Sequence, residues 1–367
     1  MVPMSDATET ETAQDPERVA HVRRALIAAG GYSTYEDLVA ASCWRSVKEA
    51  VDAGAAVRGA RGMYALPSDL GSSAVHDAFD PEARAAALAE RVGAHRRFGH
   101  EQRVVLSHRS AAEFHGISLL SDPTRPEVTV RHGRGNGSAL NRLAQVYRRR
   151  LEAADHADGV TTPLRTVLDC AIDLPFAEAL AVADAALRSD GESPGLVGPT
   201  ELREAAELTA KHVRTRVRRI AEVADGRAAN PFESALRALA LDIPGLSVEP
   251  QAEIAVSLGS GAIGSSGTGS DEDDQVYRVD LADRRLGIVI EADSYTWHGT
   301  KEGFVRDCWR YSTLIAEGWA VLRLSWDAVR SHPEAVRQLL ALLVQVRTRE
   351  LCCEACGHVR TLFPRAA

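Results

Sequence analysis

The sequence has no long hydrophobic run and no N-terminal targeting pattern. Its longest apolar stretch, LLALLV at 339–344, falls far short of the roughly 20 residues that a membrane-spanning helix needs. The first residues, MVPMSDATETETAQDPE, lack both the basic and the apolar region of a secretory signal peptide. We therefore expect no transmembrane helix, no membrane partner, and a disordered acidic leader over 1–16.

Cysteine is sparse. Only six of the 367 residues are cysteine, and Cys43, Cys170 and Cys308 stand apart from one another in the sequence. Small secreted proteins instead carry dense cysteines that form a disulfide framework. A reducing, cytoplasmic location is therefore expected.

The other three cysteines lie in a tail, 351–367, that begins LCCEACGHVR. Cys353 and Cys356 have the spacing of half a zinc site, whereas tetrahedral structural zinc needs four ligands. Cys352 and His358 could complete such a site only with awkward geometry, and Cys308 or another chain could supply a ligand instead. The tail is therefore interpreted either as a Zn²⁺ site or as redox or inert thiols.

The chain also lacks an excess of basic residues, because it has 43 Lys and Arg but 51 Asp and Glu, which gives a formal net charge of −8. DNA binding needs only a local basic face, so the total does not exclude it. Two Arg-dense stretches, RLAQVYRRR at 142–150 and KHVRTRVRR at 211–219, are candidates for such a face. Each can equally be a solvated helix face.

The chain is long enough for two or three domains. Its patterns predict a multidomain α+β protein with an N-terminal winged helix, a mixed α/β middle domain and a C-terminal domain of order αβββαβα. We place these domains at 17–70, 80–225 and 230–350, respectively. A Gly/Ser-rich and then acidic stretch, 258–275, is predicted to be a flexible loop within the last of them.

The winged-helix prediction depends on three short helical patterns and two short strands. Apolar residues recur at helical spacing in ERVAHVRRALIAAGG, YEDLVAAS and WRSVKEAVDAG, and AAVRGARGMYALP suggests two strands around a turn. In a winged helix the third helix enters the DNA major groove, where Arg45 and Lys48 would make contacts. Arg58 and Arg61 on the wing would contact phosphates. A winged helix that binds protein instead is the alternative.

Carboxylates mark the ends of two predicted strands, VYRVDLA and LGIVIEAD, which form a hairpin. Asp280 and Glu291 can reach the same end and the same face if the strand register permits. Asp293 follows on the same side as Glu291, and Glu233 in the preceding predicted helix adds another acid. Two carboxylates within reach of one ion form a hard-oxygen site for Mg²⁺ or Mn²⁺. The alternative is that these acids are solvated strand ends.

The stretch VDLADRRLGIVIEAD, with His298, VRDCWR at 305–310 and GWAVLRLSW at 318–326, resembles the PD-(D/E)XK restriction-endonuclease-like fold. More narrowly, it resembles the bacterial family related to very-short-patch repair endonucleases, over about a third of the chain. The resemblance implies a Mg²⁺-dependent DNA endonuclease that hydrolyses phosphodiesters in DNA repair or phage defence.

The resemblance also implies roles for individual residues. Asp280 and Glu291 would be metal ligands, and Glu233 would be the acid of the first helix. Arg306 and Arg310, one helical turn apart, would face the backbone phosphate.

The sequence departs from that family at one position. Asp293 stands where the family usually has a lysine that positions or activates water. His298 would then act as the base, since neutral imidazole suits that role, and Lys301 is a second candidate. Alternatively, Asp293 adds a metal ligand, or the nuclease fold is degenerate and does not cut.

The segment GGYSTYEDLVAASCWRSVKEAVDAGAAVRGARGMYALP, with LSHRSAAEFHGI, resembles AbiEi-type antitoxins of type IV toxin–antitoxin systems over roughly 17–220. This resemblance implies a DNA-targeting module, with DNA as partner and a homodimer, a cognate toxin or a defence-system protein as candidate partners. The alternative to a nuclease is therefore a non-catalytic DNA-binding transcriptional regulator. His108 and His115, at the ends of a predicted helix, are expected to pack or cap and not to bind metal.

Overall fold

The structure, a computed structural model, describes residues 15–28, 32–58, 63–65, 81–131, 138–189, 191, 193–256, 275–293 and 301–351. It is a mixed α/β protein, as the sequence predicts, and its described residues form two compact units. The first unit draws on 1–114 and 121–162, and the second on 115–120 and 163–367. The boundary at 162–163 falls inside the segment 80–225 that we assigned to one middle domain.

The first unit begins with three helices and a small antiparallel sheet. The helices are α1 (Pro16–Ala28), α2 (Tyr35–Ala41) and α3 (Trp44–Asp52), and the strands are β1 (Tyr32–Thr34), β2 (Val57–Arg58) and β3 (Met63–Ala65). The strand order is β1-β3-β2, with both pairs antiparallel. Val47 and Ala50, one turn apart on α3, are buried together with Val22 and Leu26 of α1. The predicted helices are present, whereas the sequence did not indicate β1.

The rest of the first unit contains a five-stranded mixed sheet. Its elements are α4 (Pro81–Gln102), β4 (Val105–Leu106), α5 (His108–Phe114), β5 (Glu127–Val130), α6 (Ser138–Leu143), β6 (Gln145–Arg148), a short 3-10 turn (Ala153–Asp155), β7 (His156–Ala157) and β8 (Val160–Thr161). The strand order is β6-β5-β4-β8-β7. Leu106, Val128 and Val160 from three of these strands share one apolar core.

Four buried or half-buried charged residues of this unit form what we call the paired cluster: Arg91, Glu113, Arg109 and Glu127. Arg109 Nη2 lies 2.6 Å from Glu127 Oε1, and the Arg109 backbone N–H donates to Glu127 Oε2 at 2.8 Å. Arg91 Nε donates to Glu113 Oε1 at 2.8 Å. Burial raises the pKa of Glu113 to about 7, although Arg91 opposes that rise. Each carboxyl group in this cluster therefore faces a guanidinium group.

Two histidines of this unit are buried and belong to its packing. His108 stacks on the ring of Tyr147, with ring centroids 3.5 Å apart, as expected of a packing residue. His95 Nδ1 lies 3.1 Å from Ser110 Oγ. Burial, and then the positive charge of Arg91, lower the pKa of His95 to about 4. At neutral pH His95 is therefore an uncharged part of the core.

The second unit combines a helical part with a four-stranded sheet. The helices of the first part are α7 (Pro163–Asp173), α8 (Phe176–Leu187), α9 (Pro199–Glu207) and α10 (Lys211–Val223). The second part comprises α11 (Pro231–Ala240), β9 (Glu249–Val256), β10 (Gln275–Asp283), β11 (Ile288–Asp293), α12 (Lys301–Ala316), β12 (Ala320–Ser325), α13 (Trp326–Ser331) and α14 (Pro333–Leu351). This is the predicted element order with one extra short helix, α13.

The four-stranded sheet has the order β12-β11-β10-β9. The predicted hairpin is confirmed, because β10 and β11 pair antiparallel, and β11 pairs in parallel with β12. Alternating residues of β11 enter two cores: Ile288 and Ile290 lie in one, and Val289 lies in the other. The sheet is therefore covered on both faces, which explains the continuous apolar run of β11.

Helix α11 is held in place by a buried ion pair. Arg237 Nη2 lies 2.7 Å from Asp184 on α8, and Ser234 Oγ donates to the same carboxylate at 2.7 Å. At the start of the helix, Asn230 Oδ1 accepts from the backbone N–H of Glu233 at 3.0 Å, and Pro231 follows in the first turn. These contacts position Glu233 at the N-terminal end of α11.

Candidate active site

Asp280 and Glu291 lie opposite each other on neighbouring strands. The ladder between β10 and β11 ends at the pair Leu281–Ile290, and the next position in this register sets Asp280 opposite Glu291. The two carboxyl groups share a hydrogen bond, and the Ala292 backbone N–H donates to Asp280 Oδ2 at 2.8 Å. Residues directly opposite in an antiparallel pair face the same side, and like charges there are destabilising. The register that the sequence left open therefore brings both acids together.

Glu233 is the third acid and reaches Asp280 through an amide. Gln251 on β9 donates from Nε2 to Glu233 Oε2 at 2.7 Å and to Asp280 Oδ1 at 3.4 Å. The Ala229 backbone N–H also donates to Glu233 Oε2, at 2.8 Å. We call Glu233, Asp280 and Glu291 the acid cluster.

Arg310 on α12 is the cation nearest to this cluster among the described contacts. Its Nη2 donates to Glu291 Oε1 at 2.7 Å and to the backbone oxygen of Arg278 at 2.6 Å. Tyr311, the next residue, is buried, and burial together with the charge of Glu291 raises the pKa of its hydroxyl group. Arg310 therefore bonds to Glu291 and also lowers the pKa of Asp280 by its charge, whereas the cation that acts on Glu233 is Arg188.

The carboxyl groups of the acid cluster are hard to ionise. Burial, and then the charge of Asp280, raise the pKa of Glu291 to about 9 despite Arg310. The same two causes raise the pKa of Glu233 to about 7. Burial also raises the pKa of Asp280. Because Asp280 and Glu291 titrate as a pair, they hold at least one proton between them near neutral pH unless a cation replaces it.

The donor set suits a hard divalent cation. Both paired groups offer carboxylate oxygens, and a cation would relieve the repulsion that otherwise requires a proton. Within the described part of the chain, no group of three or more His, Cys, Asp or Glu side chains is arranged to hold a metal ion. Asp280 and Glu291 would therefore be the two protein ligands, and Mg²⁺ usually retains several waters in such sites.

The other predicted site residues of this region are not all brought to the cluster. Asp293 turns to Arg323 on β12, with Oδ2 and Nε 2.7 Å apart, so its carboxylate is held by an ion pair. Arg306 is exposed on α12. His298 lies outside the described residues, and the side chain of Lys301 is not described either.

Sequence reasoning missed Gln251 and Arg323. Gln251 occupies a polar position in the alternating strand pattern EPQAEIAV, which predicts only a side chain on the polar face. Arg323 is directly beside Glu291 in the parallel register of β11 and β12. No local sequence signal distinguishes either residue from an ordinary strand position, because both roles depend on strand register.

The predicted DNA-contacting residues of the first unit are only partly described. Arg45 and Trp44 are exposed at the start of α3, with the Arg45 guanidinium carbon 5.7 Å from the centroid of the Trp44 ring. Lys48 is exposed and pairs with Asp52 one turn later, at 2.7 Å. The side chain of Arg58 is not described, and Arg61 lies outside the described residues.

The two Arg-dense stretches make many contacts within their own units. On α10, Arg216 donates to the backbone oxygen of Ala171 at 2.8 Å, and Arg219 pairs with Asp242 at 2.7 Å. In the other stretch, Arg148 donates to Asn141 and Arg150 pairs with Glu152. These arginines are therefore engaged in contacts that the sequence did not reveal.

Two further expectations concern the tail and the membrane. Cys353 and Cys356 lie outside the described residues, so the zinc interpretation stays a prediction. In the part of the chain that the structure describes, no helix combines the length and the apolar character that a membrane span requires.

No protein-family model matches the chain. Two curated relatives, the uncharacterized proteins MT2308 and Rv2248 of Mycobacterium tuberculosis (strains CDC 1551 / Oshkosh and ATCC 25618 / H37Rv), are each 29% identical to it over 174 residues. The match takes in 47% of this chain and 57% of each relative, so the chain spans little more than half the length of these relatives. The crystal structure of the RV2827C protein from M. tuberculosis is 15% identical, covers 60% of this chain and 80% of its own, and has a TM-score of 0.25.

Proposed function

We propose that the second unit carries a metal-dependent endodeoxyribonuclease of the restriction-endonuclease-like kind, and that a winged helix in the first unit targets it to DNA. The observation that carries this proposal is the contact between the half-buried Asp280 and the buried Glu291 on adjacent strands. A fold gains no stability from two acids that contact each other away from bulk solvent, so cation binding better explains why they lie together. Strongly shifted carboxyl groups of this kind cluster at functional sites.

The chain's own residues would divide the work of phosphodiester hydrolysis. Asp280 and Glu291 would hold Mg²⁺, which supplies charge stabilisation at the phosphate and lowers the pKa of bound water. Arg310 reaches Glu291 from α12 and would turn part of its charge towards the anionic substrate. Glu233, with a pKa near 7, can take up or release a proton at neutral pH.

Targeting would depend on the exposed N-terminal end of α3. Arg45 is positively charged and stacks near Trp44, and neither side chain is covered by other described residues. Arginine contacts phosphates and guanine edges, which suits a helix offered to a major groove. Lys48 is the weaker contributor, because Asp52 already neutralises it.

The nuclease proposal is tested by plasmid nicking. Supercoiled plasmid is incubated with the full-length protein and Mg²⁺ or Mn²⁺, beside Asp280→Asn and the control Glu253→Gln, which changes an exposed acid on β9. We expect Asp280→Asn to lower the nicking rate by more than about 100-fold, the upper range for residues that only support a ligand. The control should cut like the wild type.

Two outcomes would reject the nuclease. One is the absence of nicking with either metal, and the other is equal nicking by the wild type and Asp280→Asn. Retained DNA binding without nicking would instead support the non-catalytic regulator. That alternative is favoured by one observation, the ion pair that holds Asp293 at the position where a lysine is usual.

A further inference from the structure

Gln251 has an unusual backbone conformation for a strand residue. Its φ is +52°, in the left-handed region, although it lies within β9 and is not glycine. A non-glycine residue there is strained, and such strain persists only where the surrounding structure imposes it. Strained residues of this type concentrate at functional sites, so the strain at Gln251 indicates a role beyond packing.

The distortion is centred on the acid cluster. The β9–β10 ladder runs through Val279–Ala252 and resumes at Leu281–Pro250, and the pair between them, Asp280 with Gln251, is missing from it. Val279 packs into one core of the unit and Leu281 into the other. Residues two apart on a regular strand face the same side, so β10 changes face at Asp280.

This distortion determines where the Gln251 side chain points. Its amide nitrogen lies 2.7 Å from Glu233 Oε2 and 3.4 Å from Asp280 Oδ1. An amide NH₂ donates two hydrogen bonds and adds no charge. It can therefore hold two carboxylates near each other without neutralising the negative potential that attracts a cation.

We propose that Gln251 is a positioning residue of the metal site, whose strained backbone directs its amide between Glu233 and Asp280. This inference rests on the proposed metal-dependent function, because the site that Gln251 organises is the acid cluster. Groups that orient metal ligands from the second layer typically contribute 10- to 100-fold to metal affinity or activity. Gln251 does not touch the reacting atoms in this account and acts through the two acids.

The test compares two variants of the full-length protein by Mn²⁺ titration calorimetry and thermal unfolding. Gln251→Gly removes the amide and adopts positive φ freely, whereas Gln251→Ala removes the amide and keeps the strain. Asp280→Asn serves as the reference for a lost site. We expect both Gln251 variants to bind Mn²⁺ about 10-fold more weakly than the wild type. Gln251→Gly should unfold at or about 2–4 °C above the wild-type temperature, and Gln251→Ala below it.

The outcomes separate this inference from the function on which it rests. Wild-type Mn²⁺ affinity in Gln251→Gly would overturn the positioning role while leaving the metal site intact. Weaker binding accompanied by a lower unfolding temperature in Gln251→Gly would also overturn it, since the loss would then be structural. If the wild type binds no Mn²⁺, or binds it as Asp280→Asn does, the metal site itself is rejected and Gln251 has nothing to position.

Discussion

The carboxyl groups of the paired cluster in the first unit and of the acid cluster in the second lie in opposite electrostatic environments. In the paired cluster, Glu127 accepts three hydrogen bonds from Arg109, and Glu113 accepts a hydrogen bond from Arg91. In the acid cluster, Asp280 and Glu291 contact each other, and Arg310 is the cation that reaches them. The arginine–carboxylate pairs are matched in burial, with side-chain exposures of 24% and 1% for Arg109 and Glu127, and 22% and 5% for Arg310 and Glu291.

The two clusters differ in what compensates the charge of each carboxyl group. Both oxygens of the Glu127 carboxylate accept hydrogen bonds from Arg109, so its charge is compensated within the fold. Carboxyl groups that contact one another repel when both are ionised, so a proton or a metal ion must compensate their charge. The Arg109–Glu127 pair is therefore a contact that belongs to the fold, whereas the acid cluster is the place where the proposed cation would bind.

The largest effect on stability is expected where the charge pairing is complete. Arg109→Met should lower the free energy of unfolding by about 3–5 kcal/mol, because it leaves the Glu127 carboxylate buried without its partner. The matched variant Arg310→Met should cost less than about 1 kcal/mol, since Glu291 can keep a proton in place of the guanidinium group. Urea unfolding of the two variants at pH 7 measures the difference. Equal losses would show that the acid cluster is as fully compensated as the paired cluster.

A smaller effect of opposite sign is expected from neutralising the acid cluster. The pKa of Glu291 is raised to about 9 in the folded protein. Its protonation therefore adds to the free energy of unfolding in full below pH 4.5, and this gain is lost as the pH rises towards 9. Glu291→Gln mimics the protonated group and should stabilise the protein by about 2 kcal/mol at pH 8. Keeping the proton at pH 8 costs the folded protein up to about 1.4 kcal/mol for each pH unit above the unfolded pKa of 4.5, and the expected gain is roughly half of that total.

The measurement is the difference in unfolding temperature between Glu291→Gln and the wild type from pH 4.5 to pH 9, without metal. That difference should grow with pH. Glu334→Gln, which changes an exposed acid on α14, is the control and should leave the profile unchanged. A stabilisation that is constant over this range would contradict the assignment of Glu291 as a repelled acid.

The smallest effect concerns His95, beside the paired cluster. Its pKa is lowered to about 4 in the folded protein. The neutral ring therefore adds to the free energy of unfolding in full above pH 6.5, and this gain is lost as the pH falls towards 4. At pH 5.5 the wild type should have lost about 1 kcal/mol relative to pH 7.5 through this group. His95→Gln can still bond to Ser110 and does not titrate, so it should reduce that loss. Thermal unfolding at the two pH values tests this, and an unchanged pH dependence would exclude His95 as its source.

Much of the second unit could be predicted locally. The Asn230–Pro231 start of α11, the end of α12 before Gly318, and the hairpin of β10 and β11 all have local causes in capping, backbone freedom and turn chemistry. The pair Asp280 and Glu291 was also within reach, because a hairpin limits the registers available to its strands. The sequence patterns did not indicate β1 or α13, since short elements depend on contacts between distant segments.

The sequence by itself determined which residue types could carry chemistry: three acids at strand and helix ends, and an arginine on the helix that follows them. Only the tertiary structure decided which of these groups meet. Register set Asp280 against Glu291, a strained backbone turned Gln251 to Glu233, and the parallel neighbour β12 provided Arg323 to hold Asp293. The physical reason is that periodicity assigns a side chain to a face, whereas its partners across a sheet come from strands whose alignment no local pattern encodes.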